Sequence, residues 1–117
     1  MIEHLTAETF KEKVFNYEVE KEWKFLGEKP CIIDFYADWC QPCKMMIPIM
    51  EEIEKNYGDK IDIYKVNTES ESGLSQVFGI RSIPTLLFIP MGESPQIASG
   101  VVPIDSMEKI INEVLKV

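Results

Sequence analysis

The chain has 117 residues, 45% of them hydrophobic and 27% charged, with a formal net charge of −8. That length supports one hydrophobic core and is too short for two. The acidity leaves no basic stripe to neutralise phosphates, which argues against nucleic acid and disfavours anionic membrane surfaces.

No apolar run approaches the ~20 residues of a membrane helix. Met1-Ile2-Glu3-His4 lacks the basic-then-apolar layout of a signal peptide. Three cysteines, an odd number, do not make a secreted disulfide framework. The expected location is cytoplasmic, with an exported compartment as the alternative should a signal peptide have been removed.

Thr6-Ala7-Glu8-Thr9-Phe10 opens a first helix. Thr6 or Thr9 caps it, and Thr9 with Glu12 has capping-box spacing. Phe10 and Val14 fall on one face, with Tyr17 beyond them. Over residues 16–30, Trp23, Phe25 and Leu26 lie among charges, and Gly27-Glu28-Lys29-Pro30 reads as a turn. The expectation is that Trp23 and Phe25 pack on the domain's flank, with a partner contact as the alternative.

Cys31 to Ala37 is almost continuously apolar, as a strand covered on both faces should be. A helix follows from Cys40 to about Tyr57, with Met46, Ile49, Met50, Ile53 and Tyr57 at helical spacing. Pro48 lies inside it and is expected to kink it. The methionines read as core filler. Ile61 to Asn67 is a third segment of strand character, and Ser72 to Phe78 a short helix. Ile80 to Pro84 is a loop, Thr85 to Ile89 a strand, and Pro90 to Glu93 a turn into Gln96–Ser99. Asp105 with Glu108 is expected to cap a last helix, whose buried stripe is Met107, Ile110, Ile111, Val114 and Leu115. The order needs a parallel crossover in its first half and antiparallel strands in its second. The fold class is α/β, a mixed central sheet with helices on both faces.

The chemistry lies in Trp39-Cys40-Gln41-Pro42-Cys43-Lys44. The pair sits at a strand-to-helix junction, where unpaired backbone N–H groups and the helix dipole favour negative charge. Cys40 is therefore the better thiolate and the expected nucleophile, and Cys43, about one turn in, is expected to be shielded. A disulfide closing so short a loop adds little stability, so its plausible use is to be made and broken. Zinc needs four ligands. Only Cys31 and His4 remain to join the pair, and neither has ligand spacing, so no metal is expected. Cys31 reads as a small buried hydrophobe, and His4 carries no claim.

The run from Asp34 to Lys44 resembles the active site of the thioredoxin family, and Ile83-Pro84-Thr85 with Gly92 and Gly100 matches the rest of its pattern. The likeness runs from about Pro30 to the C-terminus and is weak over residues 1–29. It implies one thioredoxin domain over 1–117, with an N-terminal helix and a longer-than-usual connection over 1–30 and the core over 31–117. It implies a protein-disulfide reductase that uses no bound cofactor, because the electrons reside on Cys40 and Cys43. Its partners would be disulfide-containing proteins and a separate reductase that returns the electrons, and the chain would act as a monomer. The resemblance also implies a cis bond before Pro84. It points to a substrate groove of Trp39, Gln41, Pro42, Ile83, Pro84 and Gly100, and to Asp34 as the acid that takes the proton of Cys43, supported by Lys65. A satisfied Asp34–Lys65 ion pair is the structural alternative. The family's usual glycine after the first cysteine is Gln41 here, which leaves the reduction potential open. Two rival functions stand beside the reductase: a disulfide oxidant or isomerase of an exported compartment, and a thioredoxin-like binding module.

Overall fold

A computed structural model describes residues 2–117, so Met1 of the Met1–His4 start lies outside the described residues. The first element is one that periodicity does not reveal. Glu3–His4 forms a two-residue strand, β1, too short to show an alternation. Helix α1 covers Ala7–Lys13. Its cap is Thr6, and the reciprocal partner is Thr9 rather than Glu12. The Thr9 amide donates to Thr6 Oγ1 at 3.2 Å, and the Thr6 amide donates to Thr9 Oγ1 at 2.8 Å. A hydroxyl on the third helical residue closes the box as well as a carboxylate would. The Ala7 amide, another unpaired donor of this helix end, finds Glu71 Oε1 at 2.8 Å.

Strand β2 is Cys31–Tyr36, α2 is Gln41–Tyr57, β3 is Asp62–Asn67 and α3 is Ser72–Val77. Strands β4 (Thr85–Ile89) and β5 (Gln96–Ser99) form the hairpin, and α4 covers Ile104–Ile110 before a π-helical turn at Ile111–Leu115. Helix α2 continues through Pro48. The expected cap of the last helix is corrected: Pro103 is its N-cap residue, no side chain caps it, and Asp105 lies within its first turn. Proline there presets the extended backbone that enters a helix.

The five strands are ordered β1-β3-β2-β4-β5. Strand β2 pairs with β3 in parallel and with β4 antiparallel, and β1 joins the far side of β3 in parallel. This is the mixed sheet that the element order predicts. Alternate residues of β2 serve opposite faces. Ile32 packs with Met46, Met50 and Ile53 of α2 and Met107 of α4. Cys31, Ile33 and Phe35 pack on the other face with Phe10 of α1 and Leu74 of α3. Asp34 thus faces α2, the helix that begins at the cysteine pair.

Trp23 and Phe25 pack against the second cluster, as the flank reading expects. Phe15 and Trp23 lie 4.7 Å apart, and Trp23 and Phe25 stack with planes 6° from parallel. A Cβ on Gly27 would stand 2.3 Å from the Phe25 ring, so glycine lets the chain turn beneath it.

Candidate active site

Strand β2 ends at Tyr36, and a short loop through Asp38 and Trp39 delivers the chain to Cys40. Cys40 is the N-cap of α2, in extended backbone, and its sulfur accepts the Cys43 amide hydrogen at 3.1 Å. A sulfur thus occupies the place where serine or aspartate usually satisfies an unpaired amide. No acidic residue stands in the first turn of this 17-residue helix, so no carboxylate of the helix itself offsets its positive end. Cys40 and Cys43 are joined in a disulfide, with Cα atoms 5.2 Å apart. Burial does not separate the two as expected: Cys40 is 4% exposed and Cys43 is 3% exposed. Position does. Only Cys40 receives the helix amide, and its sulfur lies 3.8 Å from the Ile83 carbonyl oxygen, beside the proline loop. Cys43 instead lines the cavity behind the disulfide.

The sheet brings the sequence-distant residues of the expected groove to this place. Phe35 registers with Thr85, and Thr85 with Ser99, so the chain just before Thr85 and just after Ser99 meets the end of β2. The Ile83–Pro84 bond is cis. Pro84 is buried, and its carbonyl accepts the Gly100 amide hydrogen at 2.8 Å. Gly100 has φ +87, a left-handed conformation that favours glycine. Ile83 packs on the Ala37–Cys40–Cys43 cluster. Trp39 is 66% exposed, and Gln41 and Pro42 are exposed beside it.

Asp34 is buried on the α2 face, and its Oδ1 has no hydrogen-bond partner. Burial pushes its carboxyl from the ordinary value up to about 7, and the charge of Lys65 pulls the other way without cancelling that cost. Lys65 is its register neighbour on β3. Among the described residues no ion pair joins the two; the ammonium lies over the Tyr36 ring, 5.6 Å from the centroid. The geometry therefore departs from a satisfied ion pair. Asp34, Lys65, Tyr36 and Cys43 line one cavity of about 460 Å³. His4, which the sequence leaves without a role, lines it too and hydrogen-bonds the Tyr36 hydroxyl at 2.9 Å. Only the unpredicted strand β1 places it there.

Cys31 is fully buried on the opposite face, and burial pushes its thiol far up, which suits an inert side chain. Among the described residues, no group of three or more His, Cys, Asp or Glu is placed to hold a metal ion, and no helix is long and apolar enough to cross a membrane.

The sequence pattern of the thioredoxin family matches residues 2–113. A thioredoxin from Borreliella burgdorferi is 49% identical over 109 residues, which is 93% of this chain and 93% of that protein. This chain belongs to the thioredoxin family. It is a thiol–disulfide oxidoreductase, a protein-disulfide reductase working through its Cys-x-x-Cys pair. An M-type chloroplastic thioredoxin of Spinacia oleracea is 42% identical over 96 residues, or 79% of this chain and 53% of that longer protein. The crystal structure of chloroplastic thioredoxin z superposes with a TM-score of 0.82 over 99% of this chain and 96% of that one, at 19% identity. That likeness speaks for the thioredoxin fold.

Proposed function

We propose the following division of labour within the single thioredoxin domain of residues 1–117. In the reduced protein, the Cys40 thiolate at the start of α2 attacks one sulfur of a substrate disulfide. A mixed disulfide forms on Cys40, and the other substrate sulfur leaves as a thiolate. The Cys43 thiol then gives its proton to Asp34, across the cavity that both residues line. The Cys43 thiolate attacks Cys40 Sγ, and the substrate departs with both of its sulfurs reduced. Two electrons have passed to the substrate, and the Cys40–Cys43 disulfide remains. A separate reductase returns the two electrons, so the chain carries no cofactor of its own. The substrates are disulfide-bearing proteins whose backbone lies along Trp39, Gln41, Pro42, Ile83, Pro84 and Gly100. Lys65 supplies a positive charge near Asp34 from the neighbouring strand, with its ammonium over the Tyr36 ring. A reductant of this kind belongs in a compartment that keeps thiols reduced, here the cytoplasm, and acts as a monomer.

The observation that carries this reading is the disulfide at the helix N-cap with a buried, unpartnered carboxyl lining the cavity behind Cys43. The test is insulin reduction by the wild type, Cys40→Ser, Cys43→Ser and the double variant. Turnover should vanish in all three variants, and Cys43→Ser alone should accumulate mixed disulfides with substrate. Trapping by Cys40→Ser instead would reverse the roles. Equilibration with defined glutathione buffers addresses Gln41: a potential as oxidising as that of disulfide-forming proteins would replace the reductase by the oxidant.

A further inference from the structure

The sheet face beneath α2 carries a row of polar side chains where an apolar surface would pack better. His4 registers with Lys65, and Lys65 with Asp34, across β1, β3 and β2. Neighbours in register point to the same side of a sheet, so the Lys65 stem starts directly beside the Asp34 carboxyl. An unpartnered buried carboxyl next to a flexible ammonium should capture it. It does not: Asp34 Oδ1 stays without a partner, and Lys65 Nζ sits over the Tyr36 ring, 5.6 Å from its centroid. Tyr36 lies two residues beyond Asp34, on the same face of β2. Its hydroxyl reaches across the Lys65 strand to His4 Nε2 at 2.9 Å, and the two rings meet edge to face at 6.0 Å. The aromatic ring thus forms a bar from β2 to β1 over the strand that carries the lysine.

We infer that Tyr36, fixed by His4, is a positioning residue that holds the Lys65 ammonium off the Asp34 carboxyl. The negative face of the ring attracts the cation, and the hydrogen bond to His4 fixes the ring where it does so. A lysine free to approach within ~4–6 Å would lower the pKa of the carboxyl by 1–3 units. Other charges reach the same cavity: Lys44, Glu51 and Glu54 from α2, and Asp38 from the loop after β2. On the remaining side, the register neighbour of Asp34 on β4 is the apolar Leu86. Lys65 is the cation whose charged end lies over the Tyr36 ring. For the exchange reaction the consequence is a stronger base, because a proton acceptor works best when its pKa lies near the operating pH. That consequence rests on the role proposed for Asp34; the placement of Lys65 does not.

The test reads the Asp34 carboxyl directly, by carbon NMR titration of the oxidised full chain. Tyr36 and Lys65 are only half-buried, so substitutions at either leave the core intact. Tyr36→Leu should lower the Asp34 midpoint by about one pH unit. Tyr36→Phe, which keeps the ring, should move it less than half as far. Lys65→Met should raise the midpoint more on the Tyr36→Leu background than in the wild type. An unmoved midpoint in Tyr36→Leu would overturn the inference. So would equal effects of Lys65→Met on the two backgrounds, since the fall would then come from hydration of the carboxyl and not from the lysine. Exchange rates measured on the same proteins keep the two readings apart: a midpoint that shifts as expected with no change in rate would refute Asp34 as the proton acceptor while supporting the placement of Lys65.

Discussion

Replacing Asp34 by alanine should make the protein more stable and less active at once. The folded carboxyl has its pKa raised to about 7, whereas a free one titrates near 4. The sign follows from which state holds the proton. An acid with a raised folded pKa favours the folded state fully below its unfolded pKa, and that advantage is lost as pH rises through the folded pKa. At neutral pH the unfolded chain ionises Asp34 freely, while the folded chain does so only at a cost. Roughly 3 units at 1.36 kcal/mol each set an upper limit of about 4 kcal/mol. The packing lost with the side chain reduces this, so a gain of about 2–3 kcal/mol is expected at pH 7. Lys65 does not cancel it, because its ammonium already rests on the Tyr36 ring. Urea unfolding of wild type and Asp34→Ala from pH 4 to pH 8 measures the difference. It should be near zero or slightly negative at pH 4, grow through pH 5 and 6, and level off above pH 7. Stopped-flow mixing with a disulfide substrate should show the second step slowed at pH 7, with the first step little changed. A variant less stable than the wild type at pH 7 and fully active would refute both halves, and Asp34 would be a structural residue.

Cys40 should react with iodoacetamide near neutral pH much faster than Cys43 in the reduced protein, because only its sulfur receives the helix amide; equal labelling, read by mass spectrometry, would remove the assignment. Gly100→Ala places a Cβ at φ +87 with nothing within 4 Å of it. It should cost about 1–2 kcal/mol through backbone strain alone and slow the reduction of protein substrates, measured as a rise in KM for insulin. Trp23→Ala should lower stability by about 2 kcal/mol in urea unfolding and leave insulin reduction unchanged. A loss of activity at full stability would turn residues 16–30 into a partner surface. Thr6→Ala removes the cap of a short helix and should cost about 1 kcal/mol.

The central elements were legible because each carries a strong local signal. An apolar run with one acid specifies β2, and the helical spacing from Met46 to Tyr57 specifies α2. The paired cysteines then mark where one becomes the other. What stayed hidden depends on pairing rather than on pattern. Glu3–His4 is a strand only because β3 accepts it, and no two-residue segment shows a period. The role of His4 was hidden with it. The cap of α4 is not legible: Asp105 and Glu108 have suitable spacing, yet spacing does not say where a helix begins, and the N-cap is Pro103, two residues earlier. Burial of the cysteines is hidden for a related reason. Position along the helix predicts a difference in exposure, but both cysteines lie in one buried cluster with Ala37, against which Ile83 packs.

The site exists where it does because of one change of direction in the sheet. Strand β2 runs parallel to β3, so a helix must cross between them, and its positive end necessarily lies beyond the end of β2. Strand β4 runs the other way, so its beginning lies at that same edge, carrying Ile83 and Pro84. Strand β5 reverses again and ends there with Gly100. Had β4 been parallel to β2, the proline loop would lie at the opposite edge, a strand's length from the sulfurs. The mixed sheet therefore brings three sequence-distant segments to one disulfide without a binding loop of any length. The same face of the sheet holds the buried acid two residues before the end of β2, under α2 and behind Cys43. An apolar residue at that place would pack better against Met50 and Leu86. The chain keeps a carboxyl there instead, at a calculable loss of stability, lining the same cavity as Cys43, from which the proposed mechanism has it take a proton.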